Sequence, residues 1–214
     1  MSEIMIYILG EGHGEELAAS KLINKMWANL GLPHQPVAKT IRWKNLHTDV
    51  GLNKGIEHIR AKGNAQGLII MRDDEDSCPA RLAPEKSRFI DTLNFDFPIS
   101  YNIMYREFET IFVAYFDHFR GRAIPHSIRG EIKFRENIEK PANPETIRDA
   151  KGAVSNAFIG NSSYKPTTDQ LSLTQAIDID LLRGTGLPCF ESLERGLLHI
   201  SENIGRRSVY PYNR

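Results

Sequence analysis

The chain has 214 residues, a length that suits one domain or a compact core with an appended subdomain. Apolar residues make up 41% and charged residues 25%, with 27 Lys+Arg against 27 Asp+Glu. That balance argues against a large uniformly basic surface for nucleic acid and leaves room for local patches. No apolar run approaches the roughly 20 residues of a membrane span. The first residues lack the basic stretch and small-residue cleavage site of a signal peptide. The two cysteines, Cys78 and Cys189, lie far apart, fit a reduced compartment and give no zinc-site spacing. A cytoplasmic protein without a membrane partner is expected.

Residues 4–9 form an apolar run that stops at Gly10-Glu11-Gly12-His13-Gly14-Glu15-Glu16, which predicts a buried strand, a glycine turn and a helix. The turn places Glu11 at the C-terminal edge of a strand, where open α/β sheets collect ligands. Neither the Rossmann fingerprint nor the P-loop pattern is present. A carboxylate at this point repels phosphate unless a cation lies between them, so the turn suggests a metal-bridged phosphate; a solvated turn residue is the plainer alternative. Helical spacing continues over 15–30, ended by Gly31 and Pro33. An extended segment over 36–43 and a short helix over 51–62 follow. Residues 67–71 are a continuous apolar run, typical of a strand buried on both faces.

That run ends at Arg72-Asp73-Asp74-Glu75-Asp76. On an extended chain Asp73 and Glu75 share one side, and Asp74 and Asp76 the other. Carboxylates two residues apart suit Mg²⁺, which takes oxygen ligands and commonly one or two protein carboxylates plus substrate phosphate. A solvated acidic loop, or a cap for the next helix, is the bland reading. Further on, 80–92 reads as helix, 97–104 as a third strand, and 105–119 as a helix with Phe108, Ile111, Phe112, Tyr115 and Phe116 on one stripe. Strand and helix alternate, which predicts α/β layers around a mostly parallel sheet over 1–120. Beyond Gly121, prolines and glycines break the chain into short pieces. Helices are expected over 144–157, 169–183 and 189–203 and a loop over 161–168, so 121–214 reads as a helical and loop extension packed on the core.

The acid-bearing glycine turn together with the later acidic cluster resembles the Toprim fold of topoisomerases, primases and overcoming-lysogenization-defect nucleases. More specifically, the chain resembles a bacterial Toprim-like family of unknown function found in phage-defence loci, sometimes beside an ATPase gene. The resemblance rests on residues 73–79, on Arg106-Glu107-Phe108-Glu109, and on Tyr164-Lys165-Pro166-Thr167-Thr168-Asp169-Gln170. It implies Glu11 as metal ligand or general acid/base, and Asp73 and Glu75 as the paired metal carboxylates, with Asp76 as a third ligand. The second position is Glu rather than Asp, and pairing Asp74 with Asp76 is the other register. Lys151 would meet the scissile phosphate. Glu107 and Glu109 are candidates for metal or supporting ligands, or are ordinary boundary carboxylates. Asp169 and Gln170 are further supporting candidates, Asp169 equally as a helix cap. Arg120, Arg122 and Arg129 would guide the nucleic acid.

The expected function is an Mg²⁺- or Mn²⁺-dependent Toprim-like nuclease acting on DNA or RNA in phage defence, with a partner ATPase and a homo-oligomer left open. The alternative is a non-catalytic partner-binding or sensor subunit of a defence complex with an ATPase. A phosphotransferase or phosphatase for small molecules is a third reading.

Overall fold

The computed structural model describes residues 2–12, 15–74, 77–160 and 163–211, with the Glu15 side chain also outside the description. His13, Glu75 and Asp76 therefore lie outside the described residues. The main sheet has five strands in the order β2-β1-β3-β4-β7, every neighbouring pair parallel. These are β1 (Glu3–Gly10), β2 (Gln35–Arg42), β3 (Gly67–Asp73), β4 (Pro98–Met104) and β7 (Ser208–Tyr210). Helices α1 (Glu15–Asn29), α2 (Asp49–Arg60) and α3 (Pro79–Asp91) link the first four strands.

The alternation of side chains along a strand sorts the core into two layers. Ile4, Ile6, Ile8, Ile69 and Met71 pack on α1 and on the chain beyond β4. Tyr7, Leu9, Leu68, Ile70, Ile99, Tyr101 and Ile103 face the other way, onto Leu52, Ile56 and Ile59 of α2 and Ile90 of α3. Strands buried on both faces explain the unbroken apolar runs of β1 and β3.

The expected helix over 105–119 is divided into α4 (Thr110–Ala114) and α5 (Phe116–Phe119), with Tyr115 out of helical geometry between them. The reason is burial on every side: residues 108–116 are all buried, so the segment crosses the interior instead of laying one stripe on a surface. After it come a hairpin of β5 (Ala123–His126) and β6 (Gly130–Lys133), then α6 (Ala150–Ala157), α7 (Pro166–Ala176), α8 (Ile179–Arg183) and α9 (Pro188–Glu202). Edge-on and stacked rings join these pieces, from Phe112 to Tyr164 and from Phe119 through Phe134 to Phe158.

Helix α7 begins three residues before the expected start, with Pro166 in its first turn, where the missing N–H costs nothing. Its far end is held by Lys25 of α1, whose ammonium donates to the carbonyls of Thr174, Gln175 and Ile177. Helix α9 lies on β4, and β7 then joins the sheet beside it. No helix among the described residues is long and apolar enough to cross a membrane.

Gly196 sets the distance between α9 and β4. A Cβ there would lie 2.1 Å from Ser100 Oγ and 3.0 Å from Asn102 Oδ1. Gly196→Ala is expected to destabilise the fold by about 1–3 kcal/mol through overpacking. The measurement is a lowered urea midpoint at unchanged slope, with Ser100→Ala in the same chain recovering part of the loss.

Candidate functional site

In a parallel sheet all C-terminal strand ends open onto one edge. Here the register places Gly10 beside Arg42 and Asp73 beside Met104. The segments that leave this edge carry Glu11, residues 43–48, Asp74 and residues 105–109. Period-two alternation sends their polar side chains to different faces. Asp73 is in phase with Ile69 and Met71, while Arg72 is in phase with Leu68 and Ile70.

On the face of Asp73, α6 brings in Lys151. Its ammonium lies 2.6 Å from Glu107 Oε1 and 3.7 Å from Glu109 Oε2, and Asp73 adds to the negative field it feels. The Lys151 backbone N–H also donates to Glu107 Oε2. Helix α6 is set in this place by Asp149, whose carboxylate accepts from the Gly152 N–H as the N-cap. The Lys151 side chain is 43% exposed, Glu107 14% and Glu109 2%, so the group grades from solvent into the interior. Burial lowers the pKa of Lys151, but Glu109, Glu107 and Asp73 more than reverse this and leave it raised. Burial pushes Glu109 above the usual carboxylate range, against the pull of Lys151 and of the Tyr164 hydroxyl.

Glu109 Oε1 accepts from Tyr164 Oη at 2.9 Å and from Gln170 Nε2 at 3.4 Å. Burial, and the Glu109 carboxylate beside it, raise the phenol of Tyr164. Both donors come from the 164–170 motif, and Asp169 fixes its shape. That carboxylate is fully buried; Oδ2 accepts from Lys165 N–H at 2.8 Å and from Arg129 at 3.1 Å, and Oδ1 from Thr168 Oγ1 at 2.9 Å. His126 Nε2 lies 3.1 Å from Oδ1. Its Nδ1 accepts from the N–H groups of Ile128 and Arg129, so the hydrogen sits on Nε2, directed at Asp169 and the Thr168 carbonyl. The N-cap of α7 is Lys165, not Asp169; Asp169 reaches back to the N-cap N–H from one turn inside the helix.

On the other face, Glu11 Oε1 accepts from Leu46 N–H at 2.9 Å, and the Glu11 carbonyl accepts from Arg42 Nε at 3.1 Å. His47 Nδ1 lies 4.0 Å from the same carboxylate. Arg72 lies 2.7 Å from Asp74 Oδ2 and donates to Tyr101 Oη at 3.4 Å. The other Asp74 oxygen accepts from Ser77 N–H. Burial raises the pKa of Tyr101, with Asp74 and Glu11 adding to the rise and Arg72 opposing it. Glu11, Arg72, Asp74 and Tyr101 thus share one electrostatic neighbourhood.

Of the residues expected from sequence, Asp73, Glu107, Glu109, Lys151 and Gln170 come together. Asp169 supports them from behind. Glu11 turns to the 43–48 segment, and Glu75 and Asp76 lie outside the described residues. Among the described residues no group of three or more His, Cys, Asp or Glu side chains is placed to hold a metal ion. Arg120 pairs with Asp117. Arg129 is committed to Asp169 and the Ser163 carbonyl, and Arg122 is exposed. Sequence reasoning did not single out Arg72, Tyr101 or Tyr164 as site groups. Tyr164 had a signal in its place within the 164–170 motif; Arg72 and Tyr101 had none beyond lying on apolar strands.

Residues 10–198 match the family described as Domain of unknown function (DUF4276), and the chain belongs to that family. No curated protein and no solved structure matches it.

Tyr164→Phe and Lys151→Met are each expected to raise the Glu109 pKa further, Lys151→Met the more, as read by carboxyl carbon NMR titration. Tyr164→Phe also costs about 1–3 kcal/mol by leaving a buried acceptor short of a donor. A raised folded pKa means that protonation of Glu109 favours the fold. This contribution is present at acid pH and is lost as pH rises from the unfolded value, near 4.5, through the folded one. Glu109→Gln is expected to flatten that part of the stability profile, measured by urea unfolding at a series of pH values.

Proposed function

We propose that this protein is a Toprim-like nuclease that hydrolyses nucleic-acid phosphodiester bonds with Mg²⁺ or Mn²⁺, acting in phage defence. The observation that supports it most is the Lys151 ammonium, half-exposed and paired with Glu107 and Glu109, with Asp73 adding to the negative field, at the C-terminal edge of the parallel sheet. The donors suit the ion: they are carboxylate oxygens, and Mg²⁺ commonly needs only one or two from the protein, keeping its waters and taking the rest from phosphate. In this reading Asp73 and Glu107, with Glu75 and Asp76, would hold it. When bound, the metal polarises the phosphoryl oxygen and lowers the pKa of water.

The other steps belong to the chain. Lys151 turns its ammonium from Glu107 to a non-bridging phosphate oxygen as substrate arrives, and the charge of the transition state is stabilised there. Glu109 is too buried to meet substrate; it holds Lys151 at the mouth of the site, and Tyr164 and Gln170 hold Glu109. Glu11 orders the 43–48 segment beside the site through the Leu46 N–H.

A second reading, a non-catalytic partner-binding or sensor subunit working with an ATPase, is favoured by one feature. Lys151 is already neutralised by Glu107 and Glu109, so the cluster is self-sufficient as structure.

The test is cleavage of plasmid, linear duplex, single-stranded DNA and RNA with Mg²⁺ or Mn²⁺. Wild type is expected to cut in a metal-dependent manner. Asp73→Asn and Lys151→Met are expected to lose about 100-fold or more, the size typical of a positioned charge at a phosphoryl site; Glu11→Ala is expected to lose activity too. Absence of cutting by folded wild type, alone and with a partner ATPase, overturns the nuclease and leaves the binding subunit.

A further inference from the structure

We infer that a nucleic-acid strand is held at a basic cleft beside β2, by Arg42, Lys44 and Lys54 acting on its phosphates. This rests on the nuclease reading for the choice of ligand, but not for the cleft itself. The cleft has a volume of about 350 Å³, and these three cations line it with Trp43, Asn45 and Thr48; among the described residues no carboxylate is part of its lining. All three cationic residues are exposed. Among the described residues no ion pair joins any of them to an acid, whereas Arg120, Arg129, Arg183 and Arg207 each face one. In a chain of zero net charge, three cations from two elements around one hollow, none of them ion-paired among the described residues, form a local anion site.

The walls are held firmly before any ligand arrives. Trp43 Nε1 donates to the Gly51 carbonyl, and its ring lies 5.1 Å from that of His58. Gly55 permits this approach, since a Cβ there would sit 3.1 Å from Trp43 Nε1. Asn45 takes a left-handed φ of 63°, and its carbonyl accepts from both the N–H and the hydroxyl of Thr48. Thr48 in turn caps α2 through the Gly51 N–H. Glu11 fixes the segment from the sheet side through Leu46 N–H. A cleft built this way loses little conformational entropy on binding.

Position supplies the ligand class. Arg42 is the residue paired with Gly10 at the same sheet edge that carries Asp73, and β2 and β3 are separated only by β1. Two strand spacings amount to about 10 Å. A polynucleotide carries phosphates along a chain that can cross this edge from one face to the other, which a small phosphate ester does not. Of the expected guides Arg120, Arg122 and Arg129, Arg120 and Arg129 are engaged with Asp117 and Asp169, and Arg122 is exposed.

The test is fluorescence polarisation of a labelled single-stranded DNA and of the matching RNA in EDTA, over a range of salt, so that binding is read without cleavage. The variant Arg42→Gln/Lys44→Gln/Lys54→Gln is expected to weaken binding about tenfold or more and to reduce the slope of log K against log salt by about two, as loss of three phosphate contacts predicts for a single strand. A charge-matched control, Lys21→Gln/Arg88→Gln/Arg206→Gln, alters three exposed residues elsewhere and is expected to bind within twofold of wild type. Thermal unfolding confirms that both fold, and the single change Lys54→Glu repeats the test with one exposed side chain. Binding unchanged in the cleft variants, binding lost equally in the control, or no binding of either strand by wild type overturns the inference. Binding that depends on the cleft, without metal-dependent cutting either alone or with a partner ATPase, keeps it and sinks the nuclease; cutting and binding that are indifferent to the cleft do the reverse.

Discussion

A carboxylate withdrawn from water has to find both hydrogen bonds and an opposite charge, and Glu109 is where this fold meets that demand. It sits at the start of α4, in a stretch buried on every side. Its partners come from three distant places in the chain: Lys151 from α6, Tyr164 from the segment before α7, and Gln170 from α7 itself. Each donor is oriented by its own support. Glu107 takes most of the Lys151 ammonium; Asp169, with Arg129, His126 and Thr168, shapes the turn that presents Tyr164 and Gln170. The aromatic side of the same arrangement, Phe112 against Tyr164, makes the polar contacts and the apolar core parts of one packing solution. The chain beyond residue 120 is thereby tied to the sheet edge where the candidate site lies.

Much of the sheet was legible because buried parallel strands have a signature of their own. The unbroken run at 67–71 and the strand–turn–helix at the start both became elements near their expected bounds. The sites where the reading differed share a physical cause: the decisive partner is remote in sequence. Ser208–Tyr210 is a three-residue strand with no periodicity to detect, and it exists because α9 delivers it to β4. The spacing of Phe108, Ile111, Phe112, Tyr115 and Phe116 predicts one apolar stripe, with Glu107 and Glu109 at its edges as ligands or as ordinary boundary carboxylates. Burial of Glu109 reverses that inference, and nothing local in the sequence announces a buried charge. The 164–170 motif was conspicuous, and Pro166 marked a helix start, but its purpose was legible only once Glu109 stood behind it.

The same limit bears on the acids at the sheet edge. Sequence places Glu11 and Asp73 after two adjacent strands, and both indeed lie at one edge. Whether they act together depends on the phase of alternation in each strand. Asp73 shares the phase of Ile69 and Met71 and adds to the field at Lys151; Arg72 takes the opposite phase, toward Tyr101. Glu11 contributes to the field at Tyr101 and caps the 43–48 segment. The edge therefore carries two polar neighbourhoods back to back, separated by the thickness of one sheet. The carboxylates are thus divided between the faces, with Glu11 holding the 43–48 segment on one side and Asp73 adding to the field at Lys151 on the other.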